Sequence, residues 1–444
     1  MTESPSESLD HQALSSYVVN AGWFGALFVA VWPVVLALAT PAPLLLVPVI
    51  AHVSGMLAGY GVLVLMTLMS RWPLLERGVG GDRLARWHAM TGRAVVTLVV
   101  VHACAAVTGW AQARGESIPL ALWDVLGMPW LISATLGTIA MLAVAAISIR
   151  AARKRLRYET WHAIHLWTYV AIALSFVHQL AGPDLTGHRW LQVAWALLYA
   201  HTFGLVLRYR ILAPVRQAAR HRLRVSAVVP EAPGVVSIVI TGHRVEELHA
   251  EPGQFFRWRF LTPDTWLTAH PFSLSEPPRA DRLRLTVKDL GDGSGLLQHI
   301  EVGTWVVAEG PYGAMTAARR TRRNVLLVAG GVGITPMRAL FETIPAVGGD
   351  DQDLLLLYRA RTREDIVFRA ELDEIAARRR ARVVYLLGNN RDHLSTASLT
   401  RLVPDLVSRD VYLCGPPGMA AAVRASVLKA GLPAGHLHEE RFAF

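Results

Sequence analysis

The sequence predicts three domains in series: a six-helix transmembrane α-bundle, an antiparallel β-barrel and an α/β domain with a parallel sheet. The bundle is indicated by six long apolar segments within the first half of the chain. The barrel is indicated by short β-rich runs between turn residues, and the last domain by alternating strands and helices. We expect a disordered tail at 1–15, followed by domains at 16–213, 220–322 and 323–444.

Six segments are long and apolar enough to cross a bilayer. Their expected bounds are Trp23–Thr40, Pro43–Ser70, Ala94–Trp110, Val125–Ile149, Thr160–Leu180 and Trp190–Leu207. Sixteen Lys and Arg residues lie in one set of flanking loops, whereas the opposite set has only Arg114 and Arg189. The positive-inside rule therefore places the basic side, with both termini, in the cytoplasm. Because topology explains much of the net charge of +10, that charge does not indicate a nucleic-acid partner.

Two of these segments carry pairs of histidines. His88 and His102 are 14 residues apart, and His165 and His178 are 13 residues apart. Ionisable side chains at membrane depth usually mark function, and the rises of about 21 and 20 Å match each other. We therefore expect two haems between the two helices, at two depths of a hydrocarbon core about 30 Å thick. No C-x-x-C-H string is present, so these haems would be non-covalent.

The angular spacing favours the first pair over the second. At about 100° per residue, 14 residues return to within about 40° of the starting face, but 13 residues miss it by about 140°. The second helix therefore needs a kink or a π-bulge to direct both rings at one partner. His162 is the alternative inner ligand. The alternative interpretation of all these residues is core histidines bonded to neighbouring hydroxyls or carbonyls.

Two strings in the barrel have the composition of a flavin site. HPFSLS, from His270 to Ser275, offers an aromatic ring beside a hydroxyl, which can pack on a flavin and bond its edge. VKDLGDGSG, from Val287 to Gly295, is a glycine-rich turn whose backbone N–H groups can cradle a pyrophosphate. Glycine and proline are common in turns, so neither string alone indicates a flavin site. Their order and spacing together favour one.

The α/β domain contains three strings typical of a nucleotide site. AGGVGITP (Ala329–Pro336) joins a buried strand to a helix, where glycines and the helix N-terminus admit a dinucleotide. CGPPGM (Cys414–Met419) places a thiol at the carboxyl edge of the sheet, where ligands bind in open α/β folds. YRARTRED follows the second strand, and its Arg359 and Arg361 are placed to pair with a 2′-phosphate, which predicts NADPH over NADH. A solvated basic loop is the alternative.

In these features the chain resembles the transmembrane ferric reductase and NADPH oxidase superfamily, including its bacterial members. Residues 221–444 resemble the ferredoxin–NADP reductase superfamily, with its FAD barrel and pyridine-nucleotide domain. The resemblance rests on the four histidines, HPFSLS, GGVGITP, CGPP and the terminal ERFAF. It implies two b-type haems, on His88, His102, His165 and His178. It implies FAD at His270, Pro271, Phe272 and Ser273, with its phosphates near Gly291, Asp292, Gly293 and Ser294. It implies NADPH or NADH at Gly330, Gly331, Gly333, Thr335, Pro336, Cys414, Gly415 and Pro416.

Three residues are expected to be catalytic: Phe444, Cys414 and His52. The resemblance implies that Phe444 covers the isoalloxazine until nicotinamide displaces it, and Cys414 belongs to the nicotinamide motif. Eukaryotic oxidases often have an arginine at the level of the outer haem, where this chain has His52. His52 is then either a packed histidine or a group at the outer haem edge, bonding a propionate or donating a proton to the reduced acceptor.

The predicted function is transmembrane electron transfer. Electrons from cytoplasmic NAD(P)H would pass through FAD and two haems to an acceptor outside, either oxygen, giving superoxide, or a ferric chelate. One alternative is a membrane cytochrome and flavin subunit that serves a dedicated extracytoplasmic protein partner, and another is a membrane-anchored flavoprotein without haem. The expected location is the plasma membrane of a bacterial-type cell.

Overall fold

The computed structural model describes residues 5–41, 45–149, 156, 158–266, 268–345 and 353–440. The chain divides into two compact units, one ending at Leu212 and the other beginning at Ala213.

The first unit is helical. Its elements are α1 (Pro5–Ala39), α2 (Leu46–Leu68), α3 (Pro73–Val79), α4 (Gly81–Arg114), α5 (Ile118–Gly127), α6 (Leu131–Ser148), α7 (Tyr158–His165), α8 (Trp167–Ala181) and α9 (Arg189–Val206). A π-helical turn, Leu207–Leu212, follows α9. Large apolar side chains such as Trp23, Leu136 and Leu197 are more than half exposed on these helices, as expected of a surface that faces lipid.

Six helical stretches among the described residues are long and apolar enough to cross a membrane. They are Ser16–Ala39, Leu46–Leu68, Arg83–Arg114, Leu131–Ser148, Thr160–Ala181 and Arg189–His221. The six predicted spans are therefore confirmed. Helix α1 begins at Pro5, within the segment 1–15 for which a disordered tail is expected, and that expectation stays a prediction. Proline is tolerated in the first turn of a helix, so the helix extends through the polar segment that precedes the apolar span.

The second unit begins with α10 (Ala213–His221) and an antiparallel barrel. Its strands are β1 (Arg224–Ala232), β2 (Val235–Thr241), β3 (Phe255–Phe260), β4 (His270–Ser273), β5 (Arg282–Lys288) and β6 (Val306–Tyr312), with a short helix α11 (Asp292–Leu296) before β6. They form two three-stranded sheets in the orders β1-β2-β5 and β4-β3-β6. Isolated bridges between Arg224 and Trp305 and between Leu274 and Leu285 join the two sheets at both edges. Alternate side chains such as Ile238, Ile240 and Trp258 fill the barrel.

The remaining elements form an α/β domain around one parallel sheet. They are β7 (Val325–Gly330), α12 (Ile334–Thr343), β8 (Leu354–Ala360), α13 (Arg369–Arg379), β9 (Arg382–Leu387), α14 (Thr396–Leu402), β10 (Asp410–Cys414), α15 (Pro417–Lys429) and β11 (Leu437–Glu440). The strand order is β11-β10-β7-β8-β9, and every adjacent pair is parallel. All residues of β7 and β10 are buried, which explains why both sequences are apolar apart from Asp410 at the start of β10. The predicted fold class is confirmed in all three of its parts.

Candidate functional site

The four predicted haem ligands face each other as two pairs. The rings of His88 and His165 have centroids 6.1 Å apart, and those of His102 and His178 are 6.3 Å apart. His88 and His102 lie on one uninterrupted helix, α4, so the pairs are separated by about 21 Å along its axis. No cluster of three or more metal-ligating side chains occurs in the part of the chain that the structure describes.

Backbone carbonyls bond to one ring nitrogen of three of these histidines. His88 Nδ1 lies 3.2 Å from Leu65 O, His102 Nδ1 lies 2.8 Å from Ala51 O, and His178 Nδ1 lies 2.6 Å from Ser175 O. A carbonyl only accepts, so each Nδ1 carries the proton, and each Nε2 keeps its lone pair for a metal. His165 Nδ1 is buried without a hydrogen-bond partner among the described residues, and its ring stacks on Trp161.

The helix with the second pair contains the interruption that the angular mismatch requires. It ends as α7 at His165 and resumes as α8 at Trp167. The Thr168 hydroxyl donates to His165 O at 2.7 Å, and the Tyr169 N–H donates to Leu166 O at 3.1 Å, one residue closer than in an α-helix. A turn of about 120° per residue over three residues adds about 60°, which reduces the mismatch from about 140° to about 80°. The structure thus pairs His165, rather than His162, with His88.

His52 lies on α2 at the level of the outer histidine pair, because the carbonyl of the preceding Ala51 accepts from His102. Its Nδ1 is 3.0 Å from Asp184 Oδ2, in the connection between α8 and α9. Trp32 Nε1 donates to the carbonyl of the same Asp184 at 2.9 Å. The sequence analysis did not identify Asp184, which has no motif around it and is 132 residues from its partner.

A second polar network adjoins the outer pair and was also not predicted. Gln179 directly follows His178, and its Oε1 accepts from Trp195 Nε1 and from Tyr199 Oη, both at 3.0 Å. Its Nε2 donates to Ser175 O at 3.2 Å, the carbonyl that His178 also uses. Trp195 and Tyr199 are almost fully buried on α9. These bonds hold the turn of α8 that carries His178 against α9.

The two flavin strings meet in the barrel. His270–Ser273 forms β4, which pairs with β3 so that Phe272 lies opposite Phe256. A Cβ on Gly293 would lie 2.9 Å from His270 Cε1, so a side chain at this position would displace the His270 ring from the α11 turn. Ser273 Oγ is buried without a hydrogen-bond partner among the described residues. The Ser294 hydroxyl bonds the N–H of Leu290 and the carbonyl of Gly291, so it stabilises the turn itself.

The two glycine-containing strings of the α/β domain also meet, at the carboxyl edge of the sheet. Cys414 on β10 pairs with Ala329 on β7. A Cβ on Gly333 would lie 2.3 Å from Cys414 O, and one on Gly330 would lie 2.3 Å from Met419 Sδ. These contacts leave no room for a side chain, so the glycines are required for the close packing of the two turns. Gly415 lies against the backbone of Gly330.

The other nucleotide-site residues differ in exposure. Thr335 and Pro336 are buried at the start of α12, and Thr335 Oγ1 donates to Val332 O at 3.0 Å. Burial raises the pKa of the Cys414 thiol well above its ordinary value, and the charge of Glu440 adds to this. Arg359, at the end of β8, donates to Asn390 O at 3.4 Å. Arg361 is exposed and makes no ion pair with any residue that the structure describes. Phe444 lies outside the described residues.

A polar clasp between the barrel and the α/β domain was missed by the sequence analysis. Arg284 on β5 donates to both carboxylate oxygens of Glu371 on α13, each at 2.9 Å. Arg338 on α12 donates to Glu371 Oε2 at 2.7 Å. Burial alone would raise the pKa of Glu371, but hydrogen bonds and charge from Arg284 and Arg338 lower it. We call Arg284, Arg338 and Glu371 the Glu371 clasp.

Comparison with known proteins matches both ends of this architecture. Residues 54–176 match the family described as ferric reductase like transmembrane component, and residues 327–425 match the oxidoreductase NAD-binding domain. The chain is 30% identical over 242 residues to the glycine betaine monooxygenase reductase subunit of Chromohalobacter salexigens, covering 50% of this chain and 64% of that relative. It is 31% identical over 231 residues to the ferredoxin reductase component of 3-ketosteroid-9-alpha-monooxygenase of Mycolicibacterium smegmatis, covering 50% and 65%.

Among solved structures, the FAD/NAD-binding domain of nitric oxide dioxygenase from Vibrio cholerae matches with a TM-score of 0.42 and 24% identity, covering 50% of this chain and 98% of that one. The chain spans slightly less than two thirds of the length of the two curated relatives.

The first of the two family matches lies among the apolar helices and the second lies in the domain with the parallel sheet. This order, with a ferric reductase-like transmembrane segment before an oxidoreductase NAD-binding segment, resembles the architecture of the ferric reductases and NADPH oxidases.

Proposed function

We propose that this protein carries electrons from cytoplasmic NAD(P)H across the membrane to an acceptor outside, with FAD and two b-type haems as its resident carriers. The observation that supports this most is the arrangement of His88 with His165 and of His102 with His178 at two levels of α4. We assign 16–213 to the haem domain, 220–322 to the FAD domain and 323–444 to the nucleotide domain.

The histidine pairs fit a six-coordinate iron. Two imidazole nitrogens that are each about 2 Å from one metal ion, with ring centres about 1 Å further out, give a centroid separation of about 6 Å. The observed separations of 6.1 and 6.3 Å agree with this distance. The carbonyl bonds to Nδ1 select the tautomer that a metal requires. Each pair would hold one haem through its two imidazoles, and that haem would supply one-electron transfer.

When bound, FAD accepts a hydride and returns electrons one at a time, and the haems relay single electrons. The residues of the chain bind FAD and the nucleotide and orient them. The buried Ser273 hydroxyl on β4 is available to a flavin edge, because it has no partner among the described residues. The turns at Gly330–Gly333 and Cys414–Gly415 bring bare backbone together where a dinucleotide can approach. Because the Cys414 thiol stays protonated in its buried position, we assign it to the wall of the nicotinamide site rather than to nucleophilic chemistry.

At the outer level we propose that His52 supplies a proton to the reduced acceptor. Asp184 holds Nδ1 of His52, which fixes the ring and leaves Nε2 to face the acceptor. Phe444 keeps its predicted role as a cover for the flavin ring, and Arg359 and Arg361 keep theirs as partners of a 2′-phosphate. We place the protein in the plasma membrane of a bacterial-type cell, and the distribution of Lys and Arg supports cytoplasmic termini.

Two versions of this function differ in the electron acceptor outside the membrane. Oxygen or a ferric chelate would make the protein an oxidase or a reductase of small molecules. The curated relatives are named as reductase components of monooxygenases, which favours a second version, in which a dedicated extracytoplasmic protein receives the electrons.

The test is the haem content of single variants of the purified full-length protein. His102→Ala and His178→Ala should each lose the outer haem, and His88→Ala and His165→Ala the inner one, so that the haem per chain falls from about two to about one. His162→Ala is the matched control, because it removes a histidine three residues from His165, and it is the ring of His165 that lies 6.1 Å from that of His88. Full occupancy in all four variants would refute the assignment, and loss in His162→Ala with retention in His165→Ala would exchange the inner ligand.

A further inference from the structure

A pocket of about 480 Å³ lies in the second unit, apart from the flavin and nucleotide motifs. Helix α10 provides one wall, and the segment between β2 and β3 provides the other. The lining residues are Arg216, Gln217, Arg220, His221, Glu247 and His249. None of them takes part in the proposed electron-transfer function.

The charges of the lining leave a cation available. Glu247 is the only acid in the lining, and Arg220 donates to it at 2.5 Å. Arg244, outside the pocket, approaches the same carboxylate at 3.8 Å. Arg216 is exposed and forms no ion pair with any residue that the structure describes. The pocket therefore presents the guanidinium of Arg216, flanked by the imidazoles of His221 and His249, to an incoming anion.

The chain places α10 close to the membrane surface. The helical stretch from Arg189 to His221 has 33 residues. At about 1.5 Å per residue it is about 50 Å long, whereas the hydrocarbon core is about 30 Å thick. About 13 residues therefore extend beyond the core, and these include α10. Basic residues at this depth meet lipid headgroups before they meet bulk water.

We propose that this pocket binds the phosphate headgroup of an anionic phospholipid from the adjoining leaflet. Arginine is suited to this ligand because its planar fork can donate two parallel hydrogen bonds to phosphate oxygens. The pocket volume accommodates a headgroup, and its single acid is already occupied by Arg220. A free phosphate compound has the same chemistry, so the experiment must separate the two sources.

The bound headgroup would contact a helix that is joined to the flavin strands. Gln217, in the lining, donates from Nε2 to Gly310 O on β6 at 3.3 Å. Strand β6 pairs with β3, and β3 pairs with β4, which carries His270–Ser273. The lipid would thus be held two strands away from the flavin motif.

The experiment uses the full chain in nanodiscs of mixed phosphatidylcholine and phosphatidylglycerol, with the phosphatidylglycerol retained after detergent release counted by native mass spectrometry. Arg216→Gln should reduce the retained phosphatidylglycerol by at least about fivefold. Arg222→Gln is the matched control, because it removes an exposed charge six residues away that does not line the pocket, and it should change retention by less than about twofold. Arg216→Lys, which keeps the charge but not the planar fork, should give an intermediate value.

Equal retention in the wild type and Arg216→Gln would overturn the proposal, as would an equal loss in Arg216→Gln and Arg222→Gln, which would show diffuse surface charge. If Arg216→Gln does not fold, Arg216→Lys is compared with Arg222→Gln instead. A larger loss of retained phosphatidylglycerol in Arg216→Lys would support the proposal, and an equal loss in both would overturn it. Inorganic phosphate supplied to protein in pure phosphatidylcholine discs is the second arm. Arg216-dependent thermal stabilisation by phosphate, without retention of phosphatidylglycerol, would assign the pocket to a soluble phosphate compound and overturn the lipid assignment.

Discussion

Replacing Glu371 by Gln should loosen the contact between the barrel and the α/β domain. The Arg284 and Arg338 side chains are only 11% and 8% exposed, so they cannot readily regain water when their shared carboxylate loses its charge. Breaking a buried pair costs about 3–5 kcal/mol. The side chain of Glu371 is 33% exposed, so this figure must be reduced for solvent screening.

The two arginines also keep other partners. Arg284 still donates to Ser275 O at 3.1 Å, and Arg338 still donates to Glu342 at 2.6 Å. We therefore expect a loss of about 2 kcal/mol, which corresponds to a Tm lower by about 4–8 °C for a unit of this size. The decrease in Tm is measured by thermal unfolding of the full-length protein in detergent at neutral pH. Glu374→Gln is the matched control, since it removes the same charge from the same helix at an exposed position without an ion pair to any described residue.

The pH dependence provides an independent check. Because the pKa of Glu371 is lowered in the folded state, its contribution is complete above the unfolded value of about 4.5 and is lost as the pH falls through the lower folded value. The difference in Tm between the wild type and Glu371→Gln should therefore shrink below about pH 4.5. An unchanged Tm in Glu371→Gln, or an equal decrease in Glu374→Gln, would refute the proposed clasp.

Two further predictions concern substrates. Arg361→Ala should lower the ratio of kcat/KM for NADPH to that for NADH by about tenfold, because a charge-assisted bond to the 2′-phosphate is lost. Arg363→Ala, in the same loop, is the control. An unchanged ratio in Arg361→Ala would remove Arg361 from the nucleotide site. His52→Ala should keep both haem spectra and slow transfer to the external acceptor by about 100-fold, the lower range for a lost proton donor, with Asp184→Asn giving a smaller effect in the same direction. Stopped-flow reoxidation measures this rate: an unchanged rate would return His52 to a packing role, and loss of a haem would make it a ligand.

The features that could be predicted from the sequence are those that a short stretch of residues indicates by its own composition. Long apolar segments identified the spans, and short, mainly apolar runs identified β7, β8 and β10. The strand β11 was missed because LHEE is short and polar, and it is a strand only because β10 pairs with it. The pairing of His88 with His165 rather than His162 was left open, since it depends on the tightened turn at Thr168 and Tyr169.

The partners that were missed are all distant in the sequence. Glu371 looks like any surface glutamate of an amphipathic helix, and its partner Arg284 is 87 residues away. Asp184 and Gln179 likewise acquire meaning only from the side chains that the fold brings to them. Single-sequence patterns report propensity and periodicity, and neither encodes which long-range polar pairs will form.

The two cysteines have environments that differ in a way useful to the experimenter. Cys104 is exposed on α4, two residues beyond His102, whereas Cys414 is fully buried and its thiol has a raised pKa. A thiol reacts through its thiolate, so Cys414 should resist alkylation as long as the α/β domain is folded. In detergent, a maleimide should therefore reach Cys104, beside the outer histidine pair, before it reaches Cys414. In denaturant, the rate at which the Cys414 thiol is modified would report the rate at which the nucleotide domain unfolds.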